Sequence, residues 1–278
     1  MNKLAPSNTL PGVVTRQLIL KLMLLVIDIG NTNIVFGIHS GEEWMAHWRI
    51  QTDSEKTADE YEVIFRTLIT NGEVMPGQIT SVVLSSVVPT LVQPFIDMLS
   101  SFLDLRPVIL GPETYDRLPL GILNPYQIGS DLVANALAAY TKYGEFVMVI
   151  DFGTALTFTT VGSEGKIRGV AIAPGMNTVV NALAGKTAQL PRVHLVPPPS
   201  VLGQNTMHAI QSGIVLGYAG LVTSMIARTE EELQHKLIVV ATGGLSTVMA
   251  PLIPAITHIE PMLTLEGLQL AARYTVPL

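Results

Sequence analysis

The chain has 278 residues, of which 48% are hydrophobic and only 14% charged, and its formal net charge is −6. That length suits one large domain or two ordinary ones with a sizeable core, and the acidic balance argues against non-specific nucleic-acid binding, which needs a positive field. The chain has no cysteine, which excludes disulfides, thiolate zinc sites and a cysteine nucleophile and agrees with a reducing compartment.

Residues 1–22 read as a loose extension, with Met23 a candidate true start. The early apolar run is broken by Lys21 and Asp28, and no run of about 18 or more apolar residues free of charge occurs. A soluble, cytoplasmic protein is expected. Leu25-Val-Ile-Asp-Ile-Gly-Asn-Thr-Asn33 has the composition of a buried strand ending in a polar Gly turn, and 36–38 reads as the returning strand. Residues 42–50 alternate as a half-exposed strand. Residues 57–71 place Tyr61, Ile64, Phe65 and Leu68 at helical spacing behind acidic Asp59, Glu60 and Glu62. Strand 79–88, helix 91–102 and strand 107–110 follow, an alternation that marks an α/β layer architecture.

The turn-rich stretch 112–125 carries the expected boundary between two halves, 23–120 and 121–278. Asp131 stands near the start of a helix over 133–143, where a helix cap and a functional carboxylate are both open readings. Val147-Met-Val-Ile-Asp-Phe-Gly-Thr-Ala155 then repeats the earlier strand and turn, with 158–161 returning. A strand over 167–172 leads into a helix ending near Gly185. Gly185-Lys-Thr187 is no Walker loop, because Val180 stands where that pattern needs Gly. After the proline-rich 191–199 come a long helical stretch over 206–233, a strand over 238–241, a third Gly turn at Thr242-Gly-Gly-Leu-Ser246 and a closing helix over 263–274. The six histidines show no metal-ligand spacing and read as structural.

Aligning Asp28 with Asp151 also matches Val26 with Val149, Ile27 with Ile150 and Gly30 with Gly153. The chain reads as two related halves. A carboxylate at the end of a buried strand fills a core poorly but suits a hard cation held jointly with phosphate oxygens. Asp plus a donor-rich Gly turn therefore points to a nucleotide phosphate site, the bland alternative being two ordinary hairpins in which Asp serves the turn.

Two Asp-x-Gly hairpins and a late Gly-Gly turn resemble the acetate and sugar kinase, heat-shock and actin superfamily. Within it, Asp28-Ile-Gly-Asn-Thr32, Asn124-Pro-Tyr126 with Gly129-Ser-Asp131, Asp151-Phe-Gly-Thr154, Ile172-Ala-Pro-Gly175, Leu190-Pro-Arg192, Gln211-Ser-Gly213, Ala241-Thr-Gly-Gly244 and Leu263-Thr-Leu-Glu-Gly-Leu268 resemble, in order, the landmarks of type III pantothenate kinases. The resemblance implies α/β, duplicated actin-like (ribonuclease H-like) halves, each a mixed sheet flanked by helices. It implies ATP-dependent phosphorylation of pantothenate to 4′-phosphopantothenate, the first step toward coenzyme A, by a homodimer with the substrate site at its interface. ATP with Mg²⁺ and a monovalent cation, K⁺ or NH₄⁺, are the implied cofactors.

By the same resemblance, Asp28, Ile29, Gly30, Asn31, Thr32, Asn33, Ile34, Val35 and Thr154 bind ATP, with Asp28 near Mg²⁺. Asp131 is the general base, and Asp151 binds the monovalent cation. Tyr126, Gly129, Ser130, Asp131 and Leu132 contact pantothenate, and Thr187 reaches it from the neighbouring subunit. The chain departs from the family pattern at Leu132, where an arginine is usual, at Leu156-Thr-Phe-Thr159 and at Gly169-Val170. Leu cannot replace a bidentate guanidinium, so an acceptor less anionic than pantothenate, or a non-catalytic nucleotide-binding regulator, are the alternative readings.

Overall fold

The computed structural model describes residues 23–72, 74–187 and 190–276; the extension 1–22 lies outside the described residues. Strands β1 (Met23–Ile29), β2 (Asn33–His39), β3 (Trp44–Gln51), β4 (Ile79–Ser86) and β5 (Val108–Ile109) form one sheet in the order β3-β2-β1-β4-β5. Strands β6 (Val147–Phe152), β7 (Ala155–Val161), β8 (Ile167–Pro174), β9 (Ile238–Thr242) and β10 (His258–Ile259) form the other in the order β10-β9-β6-β7-β8. In both, the first three strands are an antiparallel meander and the last two run parallel to the first. The duplication legible in the Asp-x-Gly echo is thus a duplication of topology.

Strand alternation divides the side chains between two sides of each sheet. Leu25, Ile27 and Ile29 point to an outer core with Tyr61 and Phe65 of α1 (Ala58–Asn71) and Phe95 of α2 (Pro89–Leu103), while Val26 points the other way. Met148, Ile150 and Phe152 likewise face an outer core shared with α4 (Met176–Lys186), and Val147 and Val149 face inward. Between the inner faces lie α3 (Ser130–Tyr143) and α8 (Leu263–Thr275). Helix α8 packs against β1, β2 and β4 of the first sheet, and α3 against β6 and β7 of the second, so the end of the chain returns to its first half.

Local chemistry supports the elements. Thr57 caps α1 in a capping box, its hydroxyl accepting from the Glu60 N–H while the Glu60 carboxylate accepts from the Thr57 N–H at 2.9 Å. The long stretch after the proline-rich connection is one rod of three parts: α5 (Thr206–Gln211), a π-helical turn over Ser212–Leu216 and α6 (Gly217–Leu233). It matches the long helical stretch expected over 206–233 and is long and apolar enough to cross a membrane by length and composition alone. Here Ile210, Ile214, Val222 and Ile226 bury against the second sheet.

The two central helices touch backbone to backbone. A Cβ on Gly267 of α8 would lie 2.0 Å from the Ala134 carbonyl oxygen of α3. Gly267→Ala is therefore expected to force the helices apart and to destabilise the fold by about 1–3 kcal/mol, measured as a lowered midpoint in urea denaturation.

Candidate active site

Asp28 follows Val26 on β1 and Asp151 follows Val149 on β6, each two residues along, so both carboxylates emerge on the inner faces of their sheets. Each strand then turns on a glycine whose N–H closes the hairpin: Gly30 donates to the Asn33 carbonyl at 3.0 Å and Gly153 to the Ala155 carbonyl at 3.1 Å. The two tips meet, with the hydroxyls of Thr32 and Thr154 2.7 Å apart. The third Gly turn, at the end of β9 beside β6, lies against Asp151. Gly243 has φ +85°, and a Cβ there would lie 2.3 Å from Asp151 Oδ1, so only glycine fits.

The amino end of α3 forms the floor. Ser85 Oγ donates to Asp28 Oδ1 at 2.9 Å and lies 2.9 Å from Ser130 Oγ. Asn135, fully buried one turn further along, donates to Asp151 Oδ2 at 3.3 Å and accepts from Thr264 Oγ1 of α8 at 2.8 Å. Gly129 rather than Asp131 is the cap residue of α3, and Asp131 Oδ1 accepts the Leu132 N–H at 2.8 Å. The three aspartates line one cavity of about 660 Å³ together with both hairpin turns and the Gly243-Gly244 turn.

Burial dominates the electrostatics. Desolvation, reinforced by the neighbouring Asp131 and Asp151 and opposed by Ser85, pushes Asp28 up to about 7. Desolvation and the charge of Asp131, opposed by Asn135, push Asp151 up to about 6. Asp131 is also raised by burial, against the pull of the backbone N–H groups it accepts from. Three carboxylates sharing a low-dielectric cleft resist simultaneous ionisation, a state that bound cations relieve. One atom already suits that role. Thr157 Oγ1, directly across the ladder from Asp151, is buried with no hydrogen-bond partner among the described residues. Among the described residues no three carboxylate or imidazole groups converge as a complete metal cage; the donor set fits cations that also take phosphate oxygens.

The cavity gathers Asp28, Gly30, Asn31, Thr32, Asn33, Val35, Asp131, Asp151 and Thr154 of the residues singled out in the sequence. Ile29 and Ile34 point instead into the outer core of the first sheet. Gly129, Ser130 and Leu132 flank Asp131, with Ser130 and Leu132 buried. Tyr126 is 82% exposed and reaches toward Glu113, and exposed Thr187 bonds the Leu183 carbonyl at the end of α4; neither lines the cavity of the single chain. Sequence reasoning missed Asn135, which looked like one more helix residue, and His47 and Arg49, which line the cavity from β3. Their every-other-residue spacing was the available signal, read only as a half-exposed strand.

The two like sheets and the helical layer between them define the class of protein: a duplicated actin-like fold. Of the solved structures, a Sinorhizobium meliloti protein described as a 2-dehydro-3-deoxygalactonokinase shares that fold with a TM-score of 0.57 at 13% identity, covering 92% of this chain and 97% of its own. Residues 24–228 match the family model described as type III pantothenate kinase. The type III pantothenate kinase of Moorella thermoacetica is 45% identical over 248 residues, 89% of this chain and 98% of the relative. That of Myxococcus xanthus is 42% identical over 248 residues, 89% and 97%. The chain belongs to the type III pantothenate kinase family.

The raised carboxyls carry a cost that can be measured. A carboxyl whose folded pKa lies above its unfolded value of 3.8 favours the fold while protonated, and that contribution is lost as pH rises through the folded values of about 6 and 7. Without added cations the protein is expected to lose stability between about pH 4 and pH 7. Asp151→Asn should recover about 1 kcal/mol or more at pH 8, and no gain at pH 4, read by thermal denaturation at the two pH values.

Proposed function

We propose that the protein transfers the γ-phosphoryl group of ATP to the 4′-hydroxyl of pantothenate, giving 4′-phosphopantothenate and ADP, the entry to coenzyme A formation. The observation that carries the proposal is the convergence of Asp28, Asp131 and Asp151 with both hairpin tips in one cavity, in a chain of this family.

In this reading the hairpin from Asp28 to Val35 and the second tip at Thr154 bind the nucleotide phosphates through backbone and side-chain donors. Asp131 accepts the acceptor hydroxyl's proton as oxygen attacks the γ-phosphorus and the bond to the β-phosphate oxygen breaks. Burial suits it to this work, because a base whose pKa lies nearer the working pH transfers protons more effectively. Asp28 would hold the Mg²⁺ that accompanies ATP, and Asp151 with Thr157 Oγ1 a potassium or ammonium ion, which when bound neutralise phosphate charge. Ser85 and Asn135 keep the two carboxylates aimed into the cleft.

The acceptor lies beside Gly129, Ser130, Asp131 and Leu132, with Tyr126 covering it and Thr187 supplied by a second copy of the chain. A cytoplasmic homodimer whose two halves divide near residue 120 completes the proposal. Leu132, only 7% exposed and apolar, favours a second reading in which the acceptor alcohol carries no carboxylate.

Purified protein with Mg²⁺ is expected to form phosphopantothenate from ATP, more of it when potassium or ammonium is present. Pantothenol, which lacks the carboxylate, phosphorylated in preference to pantothenate would establish the second reading. Asp131→Asn is expected to lower kcat by about 10²- to 10⁴-fold with little change in the KM for ATP; unchanged turnover would remove Asp131 as the base.

A further inference from the structure

Resting on the proposed nucleotide site, we infer that Arg49 binds the terminal phosphate of the nucleoside triphosphate and takes up its developing charge during transfer. The register of the first sheet sets Asp28 opposite Val35 and Val35 opposite Arg49. All three therefore stand in one row on one face of the sheet. Strands lie about 4.8 Å apart, so Arg49 starts roughly 10 Å from Asp28 across that face. A guanidinium reaching back along the row and a carboxylate at its far end leave a phosphate-sized gap above Val35, which itself lines the cavity.

Arg49 is alone in its chemistry there. It is the one Lys or Arg among the described residues lining the cavity, against three aspartates. Its guanidinium has no hydrogen-bond or ion-pair partner among the described residues, yet its charge reaches both Asp28 and Asp151. Five unspent donors in a planar fork match the oxygens of a phosphate, whereas a structural arginine would have satisfied them within the fold. Position chooses the phosphate over the acceptor. Arg49 belongs to the sheet that carries the first hairpin, while the acceptor is activated at Asp131, on the helix between the sheets.

The test compares wild type with Arg49→Gln and Arg49→Lys, substitutions at an exposed position of β3 whose folding is checked by circular dichroism. Calorimetric titration with the Mg²⁺ complex of the β,γ-imido analogue of ATP is expected to show binding about 10- to 100-fold weaker in Arg49→Gln, with ADP affinity unchanged within about 2-fold. Lysine, a point charge without the fork, should restore part of the loss, and kcat for phosphate transfer should fall with the triphosphate affinity. Equal weakening of ADP and the triphosphate analogue would overturn the assignment, as would unchanged nucleotide binding with a raised KM for pantothenate. If wild type binds both nucleotides but does not phosphorylate pantothenate, the acceptor reading falls and the binding comparison still decides Arg49. A wild type that binds neither nucleotide overturns both.

Discussion

Two carboxylates held half-buried at the ends of the matching central strands of the two sheets set the terms for the rest of this molecule. Burial of Asp28 and Asp151 works against the charged forms that cation and phosphate chemistry needs. The surrounding structure offsets that penalty in a matched way. Ser85, on the parallel strand beside β1, donates to Asp28, and Asn135, from the helix between the sheets, donates to Asp151. Each donor is itself buried and therefore oriented. The site is assembled from both sheets and the layer between them, and no single segment could present it.

That dependence explains the investment in the central layer. Helix α3 brings Asp131 and Asn135 to the cleft, and α8 brings Thr264 to Asn135. Their axes must approach closely for the Thr264 hydroxyl to reach the amide, and Gly267 against Ala134 permits that approach. Ala134, Ala136, Ala138 and Ala139 are all buried, so α3 presents small side chains to the core around it. Apolar packing and polar positioning are thus one construction, with an aliphatic layer below and a hydrogen-bonded rim above.

The wall contributed by β3 completes the charge balance. The cleft concentrates negative charge on its floor and one guanidinium on its side, an arrangement that suits a polyanion bridged by cations more than a neutral ligand. The buried, apolar Leu132 brings no such charge to the chain beside Asp131. The polarity of the cleft is therefore lopsided, with three carboxylates and one guanidinium lining it and a buried aliphatic side chain next to Asp131.

Much of this was legible in the residue order. The Asp-x-Gly echo, Asp28 against Asp151 and Gly30 against Gly153, exposed the duplication, because a strand that must end in a carboxylate and a sharp turn tolerates few other residues. Period-2 and period-3.6 patterns marked the main strands and helices, because each buries one face. The sequence by itself therefore determined the two like halves, the three aspartates and the family. The tertiary structure alone decided what stands beside those aspartates. Thr32 meets Thr154 across 122 positions, Arg49 shares a row with Asp28 through Val35, and Asn135 joins Asp151 to Thr264. Such partners are set by strand register and helix crossing, which bring together residues with no periodic relation along the chain, and local pattern carries no trace of them.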